Sequence, residues 1–413
     1  MTDERAGSMG SVLAVRDFRI LWLAALGSAS GGWMQGIVLA AFVYDTTGDP
    51  FLTALVGFCG MIPHLVFALP GGVMADHFDR RRLVLLLTAE QLLCSLALAW
   101  IATDETFSRP LLFAAVLLVG TGAALESPAM MAIPPTLVGP QQLAGAVALT
   151  SVSINVSRVV GPAVGALVYA EFGASWVFLA NAATYGFMLV GLGRVTIPRV
   201  TQRSSERIRD RVSQGFRIAR SDRVVRRCIV TMTWMGVVST PFVALLPVMA
   251  SEQWDILPRS AVYGAVFATF GVGAIAGSVL PSTVFRSVPP PRLVRRSFAG
   301  FAVVLALWVS VADLWLVLSL ALVLGVCHYT LVTSISTIFQ SRLDHAVRGR
   351  VGSIWIFAAY GSVPIGSLLG GLLVDVSSIA VTIYVCAVLT ASLVWYADLR
   401  DHSPSESADP AAD

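Results

Sequence analysis

Twelve stretches of mostly apolar residues divide this chain of 413 residues, at about 20–44, 51–69, 83–101, 110–132, 143–170, 176–195, 224–250, 260–285, 297–312, 314–339, 351–374 and 377–397. Most are near the roughly 20 residues a helix needs to cross a hydrocarbon core of ~30 Å. In lipid every backbone polar group must be satisfied within its own segment, so each stretch is expected to be a helix. The fold class that follows is an all-α membrane protein with twelve transmembrane helices. A soluble chain carries about 25% charged residues, whereas here 13% are charged and 56% hydrophobic, with a mean hydropathy of +0.77.

The segment 71–82, GGVMADHFDRRR, joins the second stretch to the third and ends in three arginines. Short cationic loops stay on the cytoplasmic side, which fixes the expected orientation of every other loop. All 28 basic residues are arginine; only Arg109 and Arg259 fall in expected outer loops, and only Arg158 falls in the interior of a span, Arg194, Arg226 and Arg227 standing at span ends. Twelve spans then put both termini on the cytoplasmic side. Because the arginines punctuate apolar runs and form no single exposed face, nucleic acid is excluded as a partner. The five cysteines, Cys59, Cys94, Cys228, Cys327 and Cys386, lie inside apolar spans without metal-ligand spacing, so no metal is expected. The first apolar run is too long for a cleavable signal peptide and has no A-x-A exit.

The expected organisation is a polar leader over 1–19, a six-helix bundle over 20–196, a linker over 197–223, a second six-helix bundle over 224–398 and a disordered tail over 399–413. In the linker Ile208, Val212, Phe216 and Ala219 form one apolar stripe amid arginines. Two readings stand: an amphipathic helix on the inner leaflet, where arginines gain from anionic lipid, or a plain solvated connector.

The halves repeat. LVGPQQLAGAVALTS (137–151) leads into VVGPAVGALV (159–168), and RLDHAVRGRVGS (342–353) leads into GSVPIGSLLGGLLVD (361–375). Each pair reads as a polar inner loop entering a helix that is kinked at a Gly/Pro pair and then carries closely spaced small residues, which let helix backbones approach. Two pseudo-symmetric six-helix bundles with the substrate site between them near the midplane are a common transporter plan.

Four stretches carry a resemblance to a known family. These are RDFRILWLA (16–24); the 71–82 loop with Gly72, Ala75, Asp76, Arg80 and Arg81; ESPAMMAIPPTLV (126–138); and NVSRVVGPAVGALV (155–168). Together they resemble the major facilitator superfamily, in particular its enterobactin-exporter-like group of drug and siderophore effluxers. The fourth stretch, with Gly161, Pro162 and Gly165, is similar to the helix-5 motif of proton-driven exporters. There are departures. His77 and Asp79 replace a basic residue and a Gly of the signature loop, and Gly32 stands where relatives often carry an acid. The resemblance implies a conformational latch of Gly72, Asp76, Arg80 and Arg81, with Asp76 meeting the start of span 11 near Gly352 and Ser353. In the second half the corresponding loop, 286–296, is basic but has no acid.

Ionisable groups at membrane depth are costly and therefore candidates for function. Glu126, Glu90 and Arg158 qualify as proton or charge sites, against structural roles in capping, packing or gating. At 1.5 Å per residue Glu126 lies ~8 Å and Arg158 ~22 Å from the same face. His328 and Tyr329 fall on a cavity helix by resemblance, where His328 is either a pH-sensitive group or a satisfied core histidine. Trp33, Gln35, Asn155, Asn181, Tyr185, Trp234, Trp355 and Tyr360 are candidates for a permissive cavity, against plain packing. No GxxxxGK[ST] loop occurs, and Gly271, Gly273 and Gly277 lie within a span without a strand-turn-helix setting, so neither ATP hydrolysis nor another enzyme activity is expected. The expected function is proton-coupled export of a small amphipathic molecule (siderophore, antibiotic or drug-like) by a monomer in the lipid bilayer, with the proton gradient in place of a cofactor. An importer or uniporter of a polar nutrient, or a transport-dead sensor or scaffold, are the alternatives.

Overall fold

The computed structural model describes residues 9–104, 108–197, 217, 220–343, 348–397 and 399; for 68, 69, 76, 348–353, 356 and 360 it describes the backbone alone. Among the described residues there is no β-strand, and twelve helices are long and apolar enough to cross a membrane. Spans 1 to 6 are Arg16–Thr47, Pro50–His77, Arg80–Ile101, Arg109–Ala132, Leu143–Phe172 and Ala174–Arg194. Spans 7 to 12 are Arg223–Val238, Ala261–Val279, Pro290–Ser310, Leu314–Ser341, Arg348–Val376 and Ile379–Tyr396. The linker stripe at 208–219 lies outside the described residues, as does the tail apart from Leu399.

Short polar side chains start the helices. Asp49, Asp79, Asp222 and Asp313 each accept from a backbone N–H two or three residues on, which satisfies one of the orphan donors of a helix N-terminus. Asp79, an oddity as a loop residue, is thus the cap of span 3 (Arg82 N to Oδ1, 2.9 Å). Prolines decide the interruptions. Span 4 stops at Ala132 before a 3₁₀ turn over Pro134–Leu137. The region 224–250, expected as one helix, is three: Arg223–Val238, Pro241–Ala244 and Leu246–Trp254. Pro241 and Pro247 lack the N–H that a continuous helix needs. The leader is also shorter than expected. A helix at Met9–Ala14 buries Val12 against Phe18, Ala146 and Leu149, and span 1 already begins at Arg16.

Packing repeats between the halves. Spans 1·5, 2·4 and 3·6 pack as pairs in the first bundle, and spans 7·11, 8·10 and 9·12 pack equivalently in the second. The repeated Gly/Pro segments supply close contacts in both. Gly161 and Gly165 lie against Ser30–Met34 of span 1, and Gly366 and Gly370 lie against 236–245 in and after span 7. A Cβ at Gly161 would come within 2.5 Å of the Ser30 carbonyl oxygen. The bundles meet along spans 2·11 and 5·8. Two close contacts, Gly371 on Ala54 and Gly264 on Ala166, lie toward the face that carries Asp45, Asp49, Glu171, Glu252 and Asp375, called here the acidic face, while Gly361 meets Leu65 nearer the middle of spans 2 and 11.

Candidate functional site

Arg158 projects from span 5 where the two bundles cross. Its guanidinium lies 4.7 Å from the ring centroid of Tyr329 on span 10 and 5.5 Å from that of Trp33 on span 1, so an aromatic face from each bundle flanks it. Its Nε is buried and has no hydrogen-bond partner among the described residues. Span 5 reaches this position because Ser30 Oγ donates to Ser157 Oγ at 3.2 Å and the Gly161 contact draws spans 1 and 5 together. Beside Trp33, Gly32 and Gly36 share one face of span 1, and a Cβ on either would meet nothing within 4 Å.

The other candidates fall into separate groups. Glu126 accepts from Gln91 Nε2 and from Thr88 Oγ1 (3.2 Å) on span 3, and Glu90 is bridged to the Cys94 thiol at 3.6 Å. Gln35, Asn181 and Tyr185, read from the sequence as cavity residues, are instead buried within the first bundle. Asn181 donates to Gln35 Oε1 at 2.8 Å, and Ser95 donates to the same oxygen at 2.6 Å. His328 is likewise buried, with its ring centroid 5.1 to 6.1 Å from those of Tyr329, Phe301 and Phe270 and its Nδ1 without a partner. The Asn155 amide donates to the Ser151 carbonyl, Trp234 is about half exposed, and Trp355 stacks on Phe339 at 4.5 Å. The side chains of Tyr360, Asp76, Gly352 and Ser353, and with them the expected Asp76 contact, lie outside the described residues. Of the remaining loop residues, Arg80 Nε donates to Ala75 O at 3.2 Å. Arg81 donates to Leu192 O and Gly193 O, at 3.0 and 2.7 Å, at the end of span 6. Gly72 has open space beside it.

Sequence reasoning passed over the polar partners on span 3. Thr88, Gln91 and Ser95 recur at helical spacing inside an apolar run, a signal that was available. It also passed over the ties on the acidic face. There Tyr44 bonds Glu252 of the other half, Tyr169 donates to Asp45 at 3.0 Å, and Arg259 lies 5.9 Å over the Tyr169 ring. Asp45, Tyr169 and Arg259 line a cavity of about 450 Å³.

Two pseudo-symmetric six-span bundles enclosing a charged, aromatic-flanked centre make this chain a secondary transporter of the major facilitator superfamily, not an enzyme. Within it, the chain belongs to the family described as "Transmembrane secretion effector", whose model matches residues 8–410. It is similar to the Staphyloferrin A transporter of Staphylococcus aureus, at 25% identity over 89% of this chain and 92% of that protein. It is also similar to the Enterobactin exporter EntS of Escherichia coli, at 26% identity over 73% and 72%. Among solved structures it shares its fold with the nucleoside transporter NupG (TM-score 0.76, 11% identity, 92% and 98% covered). A bacterial homologue of the iron transporter ferroportin shares it too (TM-score 0.71, 15% identity, 93% and 99% covered). The chain is therefore a multi-pass bacterial membrane protein.

Proposed function

We propose that this transporter exports a small amphipathic anion from the cytoplasm by alternating access, driven by proton entry. The observation that carries the reading is Arg158. It is a cation at membrane depth flanked by two aromatic faces, so its fork of donors is available to a carboxylate or phenolate on a cargo whose apolar body lies against Trp33 and Tyr329. An uncompensated charge at this depth is retained where function needs it. Joined contacts on the acidic face match a state closed on that side, and the arginine-rich face belongs in the cytoplasm. The names of the two relatives, a staphyloferrin A transporter and an enterobactin exporter, support trying siderophores first.

The test uses everted vesicles from a strain expressing the chain, with labelled enterobactin, staphyloferrin A and a set of simpler catecholates and hydroxycarboxylates. Accumulation of one of them is expected, with loss on dissipating the proton gradient and on Arg158→Gln. Accumulation that survives the collapse overturns proton coupling; accumulation of none overturns the anion-export reading.

A further inference from the structure

At the level of Arg158 the open face of span 1 carries Gly32 and Gly36 and no acid. The acids lie behind it. Glu90 on span 3 and Glu126 on span 4 meet at the contact between those spans: Glu126 is bonded by Gln91, the residue after Glu90, and Glu90 reaches span 4 at Gly122. Glu126 is held by two donors, Gln91 Nε2 and Thr88 Oγ1. Glu90 is not: Oε1 has only the weak Cys94 thiol, and Oε2 is buried with no partner. That oxygen presses on span 4 at Gly122, where even a methyl group would collide with it, one helical turn from Glu126. The titratable groups facing the pair are Tyr185 on span 6 and Cys94 on span 3; among the described residues no cation acts on either carboxyl.

The geometry points to the Glu90–Glu126 pair as the transporter's coupling-proton site, inside the first bundle and apart from the cargo site at Arg158. Two neighbouring carboxylates without a counter-cation repel, and the pair is relieved when one of them holds a proton. The surroundings divide the roles. Glu126 sits among donors, which suit an ionised acceptor. Glu90 has the unpartnered oxygen, which suits the acid that carries the hydrogen. The chemistry is the binding of one proton to a carboxylate oxygen and its later release to the other side, with no other bond made or broken.

A polar line connects the pair to the cargo site. Tyr185 is buried on span 6, one turn from Asn181, and feels the charge of both carboxyls. Asn181 donates to Gln35 on the rear face of span 1 and, at 3.2 Å, to Ser95. Gly31, one turn before Gln35, leaves room for the Asn181 and Thr184 side chains, with which any Cβ there would collide. The opposite side of span 1 bears Trp33 against Arg158. A change of charge at the pair therefore reaches span 1 from behind while the cargo engages it from the front.

This inference rests on the proton-coupled reading, so its test separates the two. Purified protein in phosphatidylethanolamine and phosphatidylglycerol vesicles is titrated by infrared difference spectroscopy, which reports protonated carboxyl groups without any cargo. A carboxyl band that titrates in the wild type is expected, altered in Glu90→Gln and in Glu126→Gln and lost in the double variant. Both amides keep the side-chain shape, and monodisperse elution checks folding. In everted vesicles the double variant is expected to lose gradient-driven accumulation while keeping cargo exchange under equal cargo on both sides. A carboxyl band that titrates identically in the wild type and the double variant overturns the site. Accumulation that remains gradient-driven in that variant also overturns the site and leaves the proton-coupled reading standing. A wild type indifferent to the gradient overturns the coupling role, whatever the band shows.

Discussion

The Tyr44 hydroxyl, on the last turns of span 1, donates to Glu252 Oε1 at 3.1 Å, across 208 residues of sequence and from one bundle to the other. A hydrogen bond to a charged acceptor contributes about 1.5–3 kcal/mol when well shielded, but Glu252 is exposed, so a value near ~1 kcal/mol, roughly fivefold in population, is the better expectation. Tyr44→Phe removes this tie and little else. Opening on the acidic face is expected to rise by about that factor. The readout is the rate at which a membrane-impermeant maleimide labels Thr46→Cys, a position lining the cavity there; an unchanged rate would show that the bond does not hold the closed state.

Gly264 and Ala166 form a second tie, of shape alone: a Cβ on Gly264 would overlap that of Ala166. Overpacking costs about 1–3 kcal/mol, and here it falls only on the state in which spans 5 and 8 are joined at that level. Gly264→Ala is expected to slow transport by between about 5- and 150-fold, and adding Ala166→Gly should restore much of the rate because the two positions share one contact. Gly186→Ala, with the nearest atom 3.8 Å away, should behave as wild type. Failure of Ala166→Gly to rescue the double variant would place the defect elsewhere.

The span order and the paired Gly/Pro segments are legible in the sequence because each is a local feature: a run of sufficient length, a repeated motif. The faces of the helices are not. Span 1 is apolar nearly all round, and a helix of that kind gives no moment from which to choose a buried side. Gln35 and Trp33 were therefore read as equivalents, although they point to opposite sides of the helix. The break at Pro241 and Pro247 was visible in the residues and was overridden by the length of the apolar run. Long-range partners such as Tyr44 and Glu252, or Glu126 and Gln91, leave no periodic trace and emerge only from the packing of spans.

Arg81 joins the start of span 3 to the carbonyls of Leu192 and Gly193, which end span 6. A cation at that point also meets the negative end of the helix dipole. Arg81→Ala leaves those carbonyls short of a donor at a cost of about 1–3 kcal/mol, and Arg81→Lys is expected to recover only part of it because a single ammonium cannot reproduce the two-pronged geometry. Thermal unfolding in detergent should fall by several degrees for alanine and less for lysine. Equal melting temperatures for all three would assign the residue no role in holding the bundle.

Arg158 offers a test that needs no cargo. A buried cation at mid-membrane costs about 2.5–3.5 kcal/mol on insertion scales, and each aromatic contact returns about 0.5–2 kcal/mol, so Trp33 and Tyr329 together do little better than offset it. A side chain of similar length without charge escapes the cost and keeps contact with both rings. Arg158→Met is therefore expected to unfold at a temperature equal to or above that of the wild type while transport is lost, the pattern of a residue kept for function at the expense of stability. If Arg158→Met instead melted several degrees lower, the cation–aromatic sandwich would be a structural clamp between the bundles, and the anion site would have to be sought elsewhere.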